Sequence, residues 1–289
     1  MSLNRIINAE GQEEEVLEAV KDAGLIATSM KCGPCGGRAM KWSVYKKTKD
    51  GYAWRCGKCK ASPSIRFESF FYQSHISFPN WMRFFDHWLQ HEEATAEQLQ
   101  VAANVEGEKT PLSMLASARS MCDRVVFDDD ASFPGGPGVP VAVIPTGSKC
   151  NGGHDLLLIW DGTNQNVIHR DDPIPIKANS TIFTDVQGFQ PNNCVVHNYA
   201  NCQLQNVGEI REVACRWLRR KRGIACTRAT GICGEYTYRR KYISPDDDPA
   251  TYGDIFLRHL REIYAPVLAN LQYTKNWRYM SVVSEAGRT

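Results

Sequence analysis

Two Cys-x-x-Cys pairs near the start of the chain constrain its folding more than any other feature. Cys32 and Cys35 form the first pair, Cys56 and Cys59 form the second, and twenty residues lie between them. This spacing is typical of a zinc ribbon, in which each pair turns two sulfurs toward one tetrahedral Zn²⁺ ion. Glycines within and beside the pairs supply the backbone freedom that such turns need. Accidental pairs or a disulfide are the alternatives, and the sequence predicts a structural zinc.

The segment between the two pairs predicts a β-hairpin. Residues 41–45 and 52–55 alternate as two short strands, and Lys-Asp-Gly at 49–51 is a turn sequence. A short helix is expected before the ribbon, at residues 10–23, because its apolar residues recur on one helical face.

Composition and length indicate an ordinary globular protein. The chain has 289 residues, of which 43% are hydrophobic and 23% are charged, and this length suggests about two domains. No apolar run approaches the roughly 18–20 residues that a membrane helix needs, so no membrane partner is expected. The first residues lack the apolar core of a signal peptide, which predicts an intracellular protein.

Eleven cysteines without a secretory signal indicate a reducing compartment, in which thiols are metal ligands or buried residues. Those outside the ribbon show no paired spacing, and we expect them to be small buried side chains. They are Cys122, Cys150, Cys194, Cys202, Cys215, Cys226 and Cys233.

Charge is unevenly distributed along a chain whose net charge is only +2. Residues 31–60 contain nine Lys or Arg and a single acid, Asp50, while residues 206–242 contain ten basic residues and three acids. Solvated surface is the alternative, but two basic zones favour docking on a polyanion, and double-stranded DNA is the expected partner. The candidate contacts are ribbon lysines together with Arg219, Arg220, Lys221 and Arg222.

Residues 75–122 predict three helices, at 79–91, 95–103 and 111–122. The first carries aromatic residues at helical spacing, and Thr95 is the expected N-cap of the second. Packing alone explains many such trios. Behind a basic zinc ribbon, the pattern favours a helix-turn-helix-like DNA-binding region.

The rest of the chain predicts an α/β layer fold. Strands are expected at 124–127, 139–144, 155–160, 166–170 and 180–184, followed by helices at 207–222 and 253–268. Asp128 and Asp185 each follow an apolar strand, where they could hold a pair of Mg²⁺ or Mn²⁺ ions for phosphoryl transfer. Acids at strand ends are also common turn residues.

Several blocks together resemble a Merlin-type DDE transposase, a family related to bacterial insertion-sequence transposases. They begin at Cys32-x-x-Cys35 and include residues 50–56, 64–66 and 69–71. Val126-Phe127-Asp128-Asp129 and Thr181-Ile182-Phe183-Thr184-Asp185 resemble the blocks that carry the first two catalytic acids. Further matches lie at 196–198, at Trp217 with Lys221, at 235–242 and at 256–260.

The resemblance implies a zinc ribbon followed by a ribonuclease H-like, integrase-like catalytic domain that cleaves and joins DNA at transposon ends. It implies structural Zn²⁺, catalytic Mg²⁺ or Mn²⁺ on Asp128 and Asp185, and a nuclear or otherwise intracellular location. The expected organisation is an N-terminal helix (1–26), the ribbon (27–74), the helix-turn-helix-like region (75–122) and the catalytic domain (123–289). The sequence does not determine the oligomeric state, and a homo-oligomer is one of the possibilities.

The third acid of the family is not at its expected position. Aligning Trp217 and Lys221 with the family's helix places Ala214 there, and we expect Ala214 to point toward Asp128 and Asp185. Glu212 is the substitute candidate, although two residues along a helix rotate a side chain by about 200°. Three functions therefore stay open: a transposase-like enzyme, an inactive DNA-binding or regulatory protein, and a nuclease with a substitute acid.

Overall fold

A computed structural model describes residues 3–127, 133–191, 193–221, 224–244, 246–269 and 272–273. The chain is mixed α/β and divides into two compact units, residues 1–86 with 253–289, and residues 87–252. None of the described helices is long and apolar enough to cross a membrane. The helices are α1 (Leu3–Asn8), α2 (Glu13–Asp22), α3 (Phe78–Gln90), α4 (Ala96–Ala102), α5 (Lys109–Phe127), α6 (Val207–Arg220), α7 (Cys226–Tyr242) and α8 (Pro249–Ala269).

The strands form three sheets. Their orders are β10-β1-β2, β3-β4 and β7-β6-β5-β8-β9. The strands are β1 (Lys31–Cys32), β2 (Arg38–Ala39), β3 (Lys41–Val44), β4 (Tyr52–Arg55), β5 (Pro140–Lys149), β6 (Asp155–Trp160), β7 (Gln165–His169), β8 (Thr181–Thr184), β9 (Val195–His197) and β10 (Gln272–Tyr273).

The first unit packs around aromatic side chains. Phe70 lies 5.2 Å from Trp81 between ring centroids, and Phe85 of α3 lies 4.8 Å from Phe256 of α8. Edge-to-face and tilted pairs of this kind add stabilisation beyond the area they bury. The aromatic spacing that predicted a helix over 79–91 is therefore the packing face of α3.

A buried ion pair fixes the ribbon hairpin within the same unit. Arg66 Nε donates to Asp50 Oδ2 at 2.8 Å and its Nη2 donates to Asp50 Oδ1 at 2.5 Å. Arg66 Nη1 also donates to the carbonyl of Ile76 at 2.6 Å, and the guanidinium lies over the ring of Phe78. Asp50, the single acid of residues 31–60, therefore has a structural role, because its carboxylate is buried in a bidentate pair with Arg66.

The second unit is organised by the five-stranded sheet. β5 is its central strand, antiparallel to β6 on one side and parallel to β8 on the other. Alternate residues of β5 face opposite sides of the sheet. Ala142 and Ile144 pack with Ala214 and Trp217 of α6, while Val141 and Val143 pack with Ile182 and other residues on the opposite face.

One sequence prediction for this unit is wrong. Residues 124–127 are the last turn of α5 and not a strand. Ala118, Cys122 and Val126 are all buried at four-residue spacing, so the helical packing face continues past 122 and overrides the β-branched valines. Because residues 124–127 are helical, the strand that was expected to end just before Asp128 is not formed by them. Asp128 itself lies outside the described residues.

Other predicted elements are confirmed within a few residues. The strands at 155–160 and 180–184 are β6 and β8, the hairpin is β3 and β4, and the helix expected from Val207 is α6. The boundary between the units falls after Asp86, so that α4 and α5 belong to the second unit, where α5 packs on α7.

Candidate functional site

The four ribbon cysteines converge on one point in the first unit. Cys32 Sγ lies 3.5 Å from Cys59 Sγ, and Cys56 Sγ lies 3.7 Å from Cys35 Sγ. All four sulfurs lie within 4.8 Å of one another. Four thiolates around one Zn²⁺ at about 2.3 Å have sulfurs about 3.8 Å apart, so these residues fit a tetrahedral metal site. The predicted four-cysteine cluster is confirmed, and it could hold a metal such as zinc.

The local backbone explains why the sulfurs converge. A single 3-10 turn places Cys35 after Cys32, and Gly36 and Gly37 follow with φ of 71° and 77°. Gly37 N–H donates to the carbonyl of Cys32 at 3.0 Å, which closes the first turn. Only glycine adopts such φ values without strain at two consecutive positions. The turn glycines of the sequence therefore have the conformation that the ribbon requires.

Backbone amides and burial affect the ribbon thiols differently. The backbone N–H of Cys59 is the main cause that lowers the pKa of Cys56 to about 6. Burial opposes this shift, and the N–H of Lys58 adds to it. Burial is the main cause that raises the pKa of Cys32 to about 12. A cation is the partner that allows all four thiolates to coexist, because it offsets their mutual repulsion.

The ribbon surface is strongly basic. All nine Lys and Arg side chains between residues 31 and 60 are exposed, and none of them forms an ion pair with a carboxylate in the described part of the chain. The single acid, Asp50, is neutralised by Arg66 beneath the surface. The exposed residues are Lys31, Arg38, Lys41, Lys46, Lys47, Lys49, Arg55, Lys58 and Lys60.

The described residues do not assemble the predicted catalytic acids. Asp185 is exposed, and one of its carboxylate oxygens accepts from the N–H of Tyr199 at 3.2 Å. Glu212 is exposed on α6. No group of three or more potential metal ligands within the described ranges includes either residue. Asp128 lies outside those ranges, so its role as a Mg²⁺ ligand stays a prediction.

Ala214 occupies the buried face of α6. Its side chain is fully buried and packs in the cluster that contains Ala142 and Ile144 of β5. Glu212 belongs to the exposed face of the same helix, as the helical rotation between the two positions predicts. The residue of α6 that faces the sheet at this position is therefore an alanine and not an acid. Whether Ala214 points toward Asp128 stays a prediction.

The predicted DNA contacts on α6 have different environments. Arg219 is exposed, and Arg220 forms a surface ion pair with Glu93. Lys221 is not available to a phosphate, because its Nζ donates to the carbonyl of Glu92 at 2.9 Å and lies 3.9 Å from buried Glu235. Burial is the main cause that lowers the pKa of Lys221. Arg222 lies outside the described residues.

No known family model, curated protein or solved structure matches the chain. The resemblance to Merlin-type transposases therefore rests on the sequence blocks alone. Transposition and DNA binding therefore stay predictions.

A buried ion network surrounds Glu235, and no motif in the sequence points to it. The carboxylate accepts from Arg119 Nε at 2.7 Å, from Arg239 Nε at 3.1 Å and from the indole Nε1 of Trp88 at 3.1 Å. Burial raises the pKa of Glu235, but the charges of Arg119, Arg239 and Lys221 outweigh it and lower the pKa to about 2. A fully buried carboxylate with these partners is a structural anchor and not a reactive group. Part of the basic zone at 206–242 is therefore internal.

Proposed function

We propose that this chain is a DNA-binding protein whose zinc ribbon contacts the phosphate backbone of double-stranded DNA. The observation that carries the proposal is the set of nine exposed basic side chains on the ribbon, which have no carboxylate partner among the described residues. Lys and Arg that neutralise phosphates release condensed counterions, and this release drives association. A zinc-stabilised hairpin holds such side chains on a fixed surface.

The second unit supports a ribonuclease H-like ancestry for the proposal. Counted from β5, the five strands lie in the order 3-2-1-4-5. The first three are antiparallel, the last two are parallel to the first, and α6 follows them. This strand order is the one expected of a ribonuclease H-like domain. The block that resembles the first catalytic acid begins in the last turn of α5, so it does not coincide with β5, the first strand of this sheet.

The same sheet favours binding over catalysis. Val143 pairs with Thr184, so Ile144 is level with Asp185 on the neighbouring strand. Neither Ile144 nor the next residue on that face, Thr146, is a carboxylate. Two-metal phosphoryl transfer needs several hard oxygen ligands in a fixed geometry. Asp185 with buried Ala214 lacks such a set, and we therefore propose a non-catalytic DNA-binding protein of transposase descent.

Replacing the hairpin lysines with alanine tests the DNA interface. In the triple variant Lys46→Ala, Lys47→Ala and Lys49→Ala, each lost phosphate contact lowers the slope of log affinity against log salt by about 0.9, or by roughly three units in total. Fluorescence anisotropy with a labelled DNA duplex at several salt concentrations measures both affinity and slope. Arg219→Ala examines the second basic zone in the same assay.

Lys109→Ala, which removes an exposed charge from the second unit, is the matched control and is expected to leave the slope unchanged. A triple variant that retains its zinc, affinity and slope would show that the ribbon does not contact phosphates.

Strand cleavage by the unmodified protein tests the non-catalytic part of the proposal. We expect no nicking or strand transfer with Mg²⁺ or Mn²⁺ on duplex DNA, because the described sheet lacks the required ligand set. Metal-dependent cleavage that disappears in both Asp185→Asn and Glu212→Gln would instead establish an enzyme with a substitute acid. Ala214→Glu examines whether a carboxylate at this position restores metal binding.

A further inference from the structure

We propose that Cys150, His154, His169 and Cys226 form a second zinc site, which links the edge of the five-stranded sheet to the start of α7. The cluster lies wholly within the second unit and is separate from the ribbon. Sequence analysis treated its two cysteines as isolated buried residues. The site goes beyond DNA binding and does not depend on it.

Antiparallel pairing brings three of these residues to one end of the sheet. Cys150 follows β5, His154 precedes β6, and His169 is the last residue of β7. The register aligns residue 149 with 155 and residue 156 with 169, so all three residues lie at the same end of these adjacent strands. Successive antiparallel strands reverse direction, so the end of β5, the start of β6 and the end of β7 lie side by side.

Cys226 reaches the same edge from the first turn of α7. Asn151 N–H donates to the carbonyl of Ile224 at 2.7 Å, which holds the 150–154 turn against the segment before the helix. Gly152 N–H donates to Cys226 Sγ at 3.2 Å. An amide that donates to sulfur stabilises a thiolate, the form of cysteine that binds metal.

The sulfur–nitrogen distance in the cluster fits tetrahedral zinc. Cys150 Sγ lies 3.6 Å from His169 Nε2, and Cys150, Cys226 and His169 place their ligand atoms within 4.8 Å of one another. A tetrahedral ion with zinc–sulfur bonds of about 2.3 Å and zinc–nitrogen bonds of about 2.0–2.1 Å separates the two atoms by about 3.6 Å. The imidazole of His169 is almost fully buried, so it is held in place rather than free in solvent.

Gly152 gives His154 access to the sulfur. A Cβ at this position would lie 2.7 Å from Cys226 Sγ and 3.1 Å from Cδ2 of His154. Any larger residue would therefore separate the imidazole from the thiol. The rings of His154 and His169 lie 5.3 Å apart between centroids, on the same side of the turn. His154 lies beside the group of Cys150, His169 and Cys226 and not within it, and the proposal gives it the fourth position around the ion.

Asp171 orients the imidazole of His154. Its Oδ2 lies 2.7 Å from Nδ1 of His154, whereas its own backbone N–H donates to Nδ1 of His169 at 3.4 Å. A carboxylate beside Nδ1 keeps the proton on that nitrogen and leaves Nε2 free to bind a metal. Carboxylates that hold metal-binding histidines in this way are a usual feature of zinc sites. His154 therefore has this outer support, while His169 is held by its burial and by the backbone of Asp171.

A disulfide is the competing description of the two cysteines. The structure joins Cys150 and Cys226, whose Cα atoms are 5.3 Å apart, a separation that either a disulfide or a shared metal allows. A disulfide gives no reason for one imidazole buried beside the sulfurs and a second imidazole held close by through Asp171. Cys150, Cys226 and His169 converge, and with His154 they offer two sulfurs and two nitrogens, the donor set that tetrahedral zinc prefers.

Zinc content of the full chain, purified under reducing conditions, tests the site. We expect two zinc ions per chain by mass spectrometry of the metal, and about one in Cys226→Ser or His169→Ala. Cys194→Ser removes a partly buried thiol outside every ligand group and is expected to retain two. In Cys56→Ser, the zinc that remains is expected to have two sulfur and two nitrogen neighbours by X-ray absorption spectroscopy.

One zinc ion per unmodified chain, retained in Cys226→Ser, would overturn the proposal. The same conclusion follows if Cys150 and Cys226 resist alkylation until a reductant is added to denatured protein, because both thiols are then consumed in a disulfide. These measurements on the unmodified chain decide the matter even if a variant fails to fold. They are also independent of whether the ribbon binds DNA.

Discussion

Cys56→Ser is expected to remove zinc from the ribbon and to unfold residues 31–60. Cys56 contributes one of four convergent sulfurs, and beyond the metal site the hairpin is held by the Arg66–Asp50 pair and by the Trp42–Trp54 contact. Metal binding and folding are coupled in small zinc modules, so a lost ligand removes the folded state of the module itself. Zinc per chain should fall by one, and backbone amides of the hairpin should lose hydrogen-exchange protection.

The control for this experiment is Cys194→Ser, which changes a thiol outside every metal-ligand group of the described residues. We expect it to retain both the zinc and the amide protection. The DNA affinity of Cys56→Ser should fall together with the structure of the ribbon, because the nine exposed cations then lose their common surface. A Cys56→Ser protein with unchanged zinc and unchanged protection of residues 31–60 would refute the four-cysteine site.

Glu235→Gln is expected to reduce the free energy of unfolding of the second unit by roughly 3–5 kcal/mol. Glutamine keeps the size of the side chain but leaves the partly buried Arg119 and the buried Arg239 without their counter-charge. Arg239 also donates to the carbonyls of Trp88 and Leu89, so its displacement would disturb the end of α3 as well. Urea unfolding followed by circular dichroism measures the change.

The same carboxylate predicts a dependence of stability on pH. The pKa of Glu235 is lowered from 4.5 to about 2 in the folded chain, so the folded state binds its proton less readily than the unfolded state does. Its contribution is therefore complete above about pH 4.5 and is lost as the pH falls toward 2. At about 1.4 kcal/mol per pKa unit, the loss is on the order of 3 kcal/mol.

The unmodified protein and Glu235→Gln should therefore converge in stability between pH 4.5 and 2. Glu93→Gln is the matched control, because Glu93 forms an exposed pair with Arg220 and such pairs contribute about 0–1 kcal/mol. If Glu235→Gln and Glu93→Gln have equal small effects at pH 7, the ion network does not stabilise the fold.

Local patterns in the sequence determined the ribbon. Cys32, Cys35, Cys56 and Cys59 act through short turns, whose glycines and hairpin partners are neighbours along the chain. The strands at 155–160 and 181–184 are equally local, because runs of apolar and β-branched residues form strands wherever a sheet accepts them. These features could be predicted because each is decided within about thirty residues.

Only the tertiary structure decided which charges and cysteines act together. Lys221 was predicted to contact DNA, but the fold turns it inward toward Glu235. Cys150 and Cys226 are separated by 76 residues and show no spacing that a motif could capture, yet strand reversal brings Cys150 beside His169, and the start of α7 brings Cys226 to the same place. Residues 124–127 have β-branched side chains, but their helical face continues that of α5. Long-range packing sets burial and contact, and a single sequence records neither directly.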